Sequence, residues 1–365
     1  MNKYIKFGYK FKPLFIAMFN IVSNSHKKLF AGHLFALFAF LIAGQATAQP
    51  QTRRDAVLKK KQQEFAMWKY GMFLHFNMAT YVNKEWASGY EDPMLFNPRK
   101  LDCSQWAATA KAAGMKYAVL TVKHTGGWCL WDSKYTTHDM TAFKNYKNGH
   151  GDIVREFVDA FRKKDLKVGL YYCMPGDYSN DDPEITNNHK KDLHGLPPEA
   201  AENYEGFIEK QVTELLTNYG KIDLLWFDQY SNKYTYKYWP RLKALIYKLQ
   251  PGCIVLANNA DNYTDSDLIS YEYPYRKSAT PGKALPPAGN KDAGELCDCV
   301  DAKGLWFWHT GPKTLQAPAV VSNLIKLCNA RHTNYLLDVP PDRDGLIESQ
   351  YVKRLVEIKR ALSEK

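Results

Sequence analysis

Leu224-Leu225-Trp226-Phe227-Asp228-Gln229-Tyr230 is an apolar run that ends abruptly in a carboxylate followed by polar residues. Such a run is a buried strand that delivers its last side chain to a sheet edge. Side chains alternate between the two faces of a strand, so Trp226 and Asp228 share a face. In a closed barrel of parallel strands, the C-terminal strand ends carry the chemistry. A carboxylate beside an aromatic wall there suits attack on a sugar carbon. A structural Asp that caps the next helix would leave the same local pattern.

Working outward, apolar runs alternate with helix-like stretches. Strands are expected at 71–76, 117–124, 168–174, 224–230, 253–257, 267–273, 305–309 and 334–339. Helices are expected at 103–113, 153–164, 198–219, 236–249, 318–330 and 350–362, with a charged amphipathic segment at 52–69 leading in. Gly114 and Gly220 sit just past two of these helices, where C-cap chemistry puts glycine. Strands alternating with helices over about 300 residues predict a (β/α)8 TIM-like barrel as a single catalytic domain over 49–365. An open doubly wound sheet would want a Gly-rich phosphate turn after its first strand, and none is present. The long irregular pieces, 77–101, 125–150, 175–196 and 274–301, all follow strands, which is where barrel enzymes build their sites.

Residues 1–48 carry six Lys, no acid, an apolar run at 34–43 and Ala46-Thr47-Ala48 before Gln49. That is the form of a secretory signal peptide, so periplasmic or secreted localisation is expected. The apolar run is too short to span a membrane comfortably. Without the leader the formal charge falls from +11 to +5, too mild a balance to imply nucleic acid. The seven cysteines are odd in number and scattered, which speaks against a disulfide framework. Cys297 and Cys299 are too close for a zinc knuckle, and neither metal nor cofactor is expected.

Polar residues at the expected strand ends are His75, His124, Asp228, Glu272 and His309. Glu85 and Trp86 lie in the first long loop, and Tyr171, Tyr172 and Trp306 lie on or near strands. Tyr171 and Tyr172 point to opposite faces, so at most one can face the site, and Tyr172 is the candidate. Two carboxylates, several histidines and several aromatics on one face are the inventory of a retaining glycosidase. Glu272 could instead pair with Arg276.

These segments resemble glycoside hydrolase family 29, the α-L-fucosidases. The matching blocks include WKYGMFLHF (68–76), Glu85-Trp86, YAVLTVKHTGGWCLWDSKYT (117–136), GDIVREFVDAFRKKDLKVGLYY (151–172), LLWFD (224–228), ELCDCVDAKGLWFWH (295–309) and NYLLDVPPDRDGL (334–346). Segment 295–309 looks most like the α-1,3/1,4-fucosidase branch. The resemblance implies Asp228 as the nucleophile of a double displacement and Glu272 as its acid/base, with Glu295 as the fallback. It implies His75, Glu85, Trp86, His124, Tyr172, Trp226 and Trp306 around the sugar, and an oligo- or polysaccharide substrate with a terminal L-sugar. One departure stands out. Where the family usually reads KHHDG, this chain has Lys123-His124-Thr125-Gly126-Gly127, which suggests space for L-galactose in place of L-fucose. A carbohydrate-binding homologue without turnover is the alternative outside the enzymes.

Overall fold

The computed structural model describes residues 55–174, 198–230, 238–273 and 285–364, with the backbone alone for 198–205. The expected signal-peptide segment, residues 1–48, and Arg276 lie outside them. Residues 1–59 and 60–365 form separate units. In the first, residues 55–59 are helical.

In the second unit eight strands form one parallel sheet in the order β5-β4-β3-β2-β1-β8-β7-β6. They are β1 (Tyr70–Leu74), β2 (Tyr117–Lys123), β3 (Lys167–Cys173), β4 (Leu224–Asp228), β5 (Ile254–Ala257), β6 (Ile269–Glu272), β7 (Gly294–Cys299) and β8 (Thr333–Asp338). The flanking helices are α1 (Cys103–Ala112), α2 (Ile153–Lys163), α3 (Pro198–Asn218), α4 (Trp239–Leu249), α5 (Pro318–Ala330) and α6 (Ser349–Ser363). Asp102 and Asp152 open α1 and α2 by accepting hydrogen bonds from first-turn amides, as N-caps do. Gly220, just beyond α3, takes φ +68°, a conformation that costs glycine little.

The (β/α)8 barrel is closed between β5 and β6 by side chains. Val255 N–H donates to Asp267 Oδ2 at 3.0 Å, Ala257 N–H donates to Ser266 Oγ at 3.0 Å, and Asp267 N–H returns a bond to the Val255 carbonyl at 2.8 Å. Asp267 also accepts from Tyr247 Oη at 2.7 Å and from the buried Lys61 Nζ at 3.2 Å.

Seven of the expected strands are present, and the seventh is displaced. The aromatic run 305–309 reads as a strand, yet it is a loop, and β7 is Gly294–Cys299 inside the expected loop 274–301. The reason is chemical. Glu295 and Asp298 break the apolar pattern of β7, but both are buried with partners: Glu295 with Tyr117 and Trp226, Asp298 with Tyr335 and Gln316. A carboxylate satisfied inside a barrel cannot be told from a surface one by hydropathy.

The barrel interior is packed. Phe73, Tyr171 and Trp226 meet with ring centroids 5.1–5.8 Å apart, and Glu295 lies beneath Trp226, accepting from its Nε1 at 2.8 Å. Above this plug the barrel opens at the C-terminal strand ends.

Asp267→Ala would strand a buried Lys61 ammonium and leave the Val255 amide and Tyr247 hydroxyl short of an acceptor. The expected cost is roughly 3–5 kcal/mol, read as a lower urea midpoint for the full chain than wild type.

Candidate active site

The mouth of the barrel is a pocket of about 360 Å³ lined by Phe73, His75, Trp86, His124, Tyr171, Trp226, Asp228, Asn258, Glu272, Cys297 and Trp306. That figure includes open solvent at the mouth; the space a water molecule can occupy is about 50 Å³. Strand parity explains the membership. Trp226 and Asp228 alternate inward on β4, Glu272 ends β6, and His75 and His124 follow the last residues of β1 and β2.

Asp228 is held by three donors. Oδ1 accepts from Gln229 N–H at 2.9 Å and from Asn258 Nδ2 at 3.0 Å, while Oδ2 accepts from Tyr171 Oη at 2.8 Å. Asn258 Nδ2 also donates to Glu272 Oε2 at 3.2 Å. Two acceptors on one nitrogen place those two carboxylate oxygens no more than about 6 Å apart, which makes Asp228 and Glu272 a close pair. Desolvation and the neighbouring Asp228 charge push the Glu272 carboxyl up to about 7, against hydrogen bonds from Asn258 and Asn259 that pull it down. A carboxyl raised in this way next to a second carboxylate is an arrangement that suits an acid and a nucleophile.

Two histidines face the carboxylates. His75 Nδ1 lies 2.7 Å from Asp338 Oδ1. Burial drives both partners toward their neutral forms, lowering His75 to about 3 and raising Asp338. His124 stacks on Tyr171 with centroids 5.5 Å apart, and burial lowers its pKa as well. Its Nδ1 is buried without a hydrogen-bond partner. Neutral imidazoles suit uncharged hydroxyl ligands, since each ring nitrogen can donate or accept according to tautomer.

The site residues expected from sequence divide as follows. Asp228, Glu272, His75, Trp86, His124, Trp226 and Trp306 line the pocket. Tyr172 does not, and this is a correction. Its side chain projects outward from the barrel, where the hydroxyl donates to Gln211 Oε1 at 2.7 Å and accepts from the buried Lys123 Nζ at 3.1 Å. Parity puts Tyr171 inside instead. Glu85 also stands off the lining. Its carboxylate accepts from Trp306 N–H at 2.8 Å and Phe307 N–H at 3.3 Å and lies 2.6 Å from His309 Nε2, pinning the loop that carries Trp306 over the pocket. Glu295 lies below the pocket, bonded to Tyr117 and Trp226, and burial raises its carboxyl to about 7. Thr125 is absent from the lining, with its hydroxyl 3.8 Å from Cys173 Sγ. Sequence reasoning missed Asn258 and Cys297. Asn258 carried a signal, since it is the first polar residue after the apolar run of β5.

A (β/α)8 barrel with two carboxylates at its mouth, ringed by aromatics and imidazoles, defines a glycosidase-type site. The sequence matches the α-L-fucosidase family over residues 87–364, and the chain belongs to that family. α-L-Fucosidase 1 of Arabidopsis thaliana is 30% identical over 319 residues, 81% of this chain and 58% of that one. This chain therefore spans less than two-thirds of that relative's length. The structure of α-L-fucosidase isoenzyme 1 from Paenibacillus thiaminolyticus superposes with a TM-score of 0.67 at 27% identity, covering 83% of this chain and 75% of that one. An α-L-fucosidase from Lactobacillus casei in complex with α-L-fucose product shares the fold, with a TM-score of 0.64 at 22% identity over 83% of this chain and 98% of that one.

Removing the Glu85 carboxylate should free the 305–309 loop. In Glu85→Ala, amide exchange at Trp306 and Phe307 is expected to accelerate, since hydrogen bonds to a charged acceptor contribute about 1.5–3 kcal/mol each. Unchanged exchange there would show that other contacts hold the loop.

Proposed function

We propose that the protein hydrolyses terminal α-L-fucosyl residues of glycans with retention of configuration. The observation that carries this reading is the close pair Asp228 and Glu272, joined through Asn258 across the pocket, in a chain of the α-L-fucosidase family. Asp228 attacks C1, the bond from C1 to the glycosidic oxygen breaks, and the Glu272 proton passes to that oxygen. The products of this step are a glycosyl ester on Asp228 and an ionised Glu272. Water then gives a proton to Glu272 and its oxygen to C1, and the ester bond breaks to restore Asp228. Neutral His75 and His124 bond the ring hydroxyls, while Trp226 and Trp306 pack on apolar sugar faces. Trp86, exposed at 59%, covers the sugar from the solvent side. No step calls for a metal or cofactor.

Finer points of the reading are the linkage, the compartment and the partner. Similarity of segment 295–309 to the α-1,3/1,4 branch favours those linkages, and the basic, then apolar, leader at 1–48 favours export to the periplasm or beyond. The partner is a fucosylated oligo- or polysaccharide, with no nucleic acid involved. Thr125 lies off the pocket lining with its hydroxyl 3.8 Å from Cys173 Sγ, so no contact at that position separates an α-L-galactoside from an α-L-fucoside.

Three measurements test this. Aryl α-L-fucoside should be turned over with net retention by NMR and strongly preferred to aryl α-L-galactoside, whereas inversion or a galactoside preference would overturn the reading. Asp228→Ala should lose activity by on the order of 10⁴-fold. Glu272→Ala should retain part of its rate only on aryl substrates, whose leaving group needs no proton, and azide should raise that rate.

The pH profile has a defined sign. Glu272 must be protonated for the first step, and its carboxyl is raised from the ordinary value to about 7. The acid is therefore present below that pH and lost above it, so kcat/KM is expected to fall as pH rises through about 7. A plateau extending well above 8 would exclude Glu272 as the acid.

A further inference from the structure

Asn258 occupies a position that the double-displacement scheme does not by itself require. It follows β5 directly, is 5% exposed, and its one Nδ2 donates to Asp228 and to Glu272. The amide orientation is set by its surroundings. Oδ1 accepts from Ser270 Oγ at 3.0 Å, and only the NH2 end can face two carboxylates without repulsion. Ser270 lies two residues before Glu272 on β6, so the strand that supplies the acid also orients the amide. We infer that Asn258, held by Ser270, is a positioning residue that keeps both carboxylates on one shared donor while negative charge passes between them. This rests on the roles proposed above for Asp228 and Glu272.

The physical case follows from charge balance. Before the first step the charge is on Asp228. After C1 bonds to Asp228 and the Glu272 proton leaves with the glycosidic oxygen, Asp228 is a neutral ester and the charge is on Glu272. Hydrolysis reverses this, as the water proton goes to Glu272 and the ester oxygen leaves as the Asp228 carboxylate. The pair carries one negative charge throughout, and a neutral donor between the two oxygens can follow it without moving. Preorganised donors of this kind need no reorganisation during the reaction.

The groups facing Glu272 are Asp228 on β4, Tyr171 on β3, Cys297 on β7, and the amides Asn258 and Asn259 after β5. Of these, Asp228 raises the Glu272 carboxyl, while Asn258 and Asn259 lower it by bonding its ionised form. Deleting Asn258 should therefore raise it further.

The test compares wild type, Asn258→Ala and Ser270→Ala. One readout is the pH profile of aryl α-L-fucoside hydrolysis. The other is a 13C NMR titration of the chain labelled at glutamate carboxyls, with Glu272→Gln assigning the signal. In Asn258→Ala, the basic limb and the Glu272 titration should both move up by about half a unit to one unit. Its kcat should fall by roughly ten- to a hundredfold with a smaller change in KM. Ser270→Ala, which only frees the amide, should move the same quantities in the same direction by less, and it keeps the test open if Asn258→Ala does not fold. A lower kcat with both titrations unmoved would reduce Asn258 to a packing residue and overturn the inference. Wild type that turns over no fucoside would refute the proposed function, and the NMR titration alone would then decide whether Asn258 couples the two carboxyls.

Discussion

The seam between β5 and β6 is the constraint on which the site depends. Parallel strands elsewhere in the barrel pair by backbone bonds, whereas here the Ser266 and Asp267 side chains take acceptor places on the β5 amides. The seam therefore mixes side-chain bonds with backbone ones, such as that from Asp267 N–H to the Val255 carbonyl. Directly above it, Asn258 leaves β5, Ser270 and Glu272 end β6, and their mutual bonds continue the seam to the pocket. Asp228 stands on β4, next to β5. The two carboxylates are thus tied to the strands on either side of the closure through Asn258. Lys61, which supports Asp267 from below, belongs to the same chain of contacts.

Burial does much of the electrostatic work. In a dry interior a charged group is costly unless paired, and this site distributes that cost unevenly. Asp228 has three donors, among them the Gln229 amide. Glu272, with the Asp228 charge nearby, is pushed toward the neutral acid. His75 and His124 are pushed toward neutral imidazole by the same desolvation. Below them, Glu295 anchors Trp226 and Tyr117, fixing the aromatic floor against which a sugar would pack. Burial therefore favours the neutral forms of Glu272, His75 and His124 alike, above a floor tied by Glu295.

Much of this was legible in the sequence, and the misses have physical reasons. An apolar run ending in a polar residue marks a strand end, and that rule found His75, His124, Asp228 and Glu272. It would also have found Asn258, but an amide carries no charge and drew less attention than an acid. Alternation ruled that only one of Tyr171 and Tyr172 could face inward, yet parity has no absolute phase without a fixed point. Asp228 could have supplied one only through the register that pairs Tyr171 with Trp226, which is a tertiary fact. β7 was hidden because its carboxylates are paired across the barrel with residues far away in the sequence. The 305–309 loop imitated a strand because it is aromatic. Those rings serve the pocket and the surface around it, with Trp306 lining the former and Trp308 bonding Glu348.

The departure at Thr125-Gly126 shows how a change of motif can be absorbed without touching the pocket. Gly126 sits at φ +101°, where a side chain is strained. A Cβ there would come within 3.0 Å of Ala87 Cβ and 3.1 Å of Gly89 N. The glycine therefore lets residues 87–89 lie directly on the β2 loop, and Glu85, two residues before Ala87, pins the Trp306 loop. An aspartate at 126 would carry backbone strain and press its Cβ on Ala87 and Gly89, which would have to give by a few tenths of an ångström. Thr125, turned toward Cys173, meanwhile leaves the Nδ1 of His124 as the unpartnered polar atom on that wall. Of the residues of that motif, His124 alone lines the pocket, while Gly126 allows the close approach of two loops.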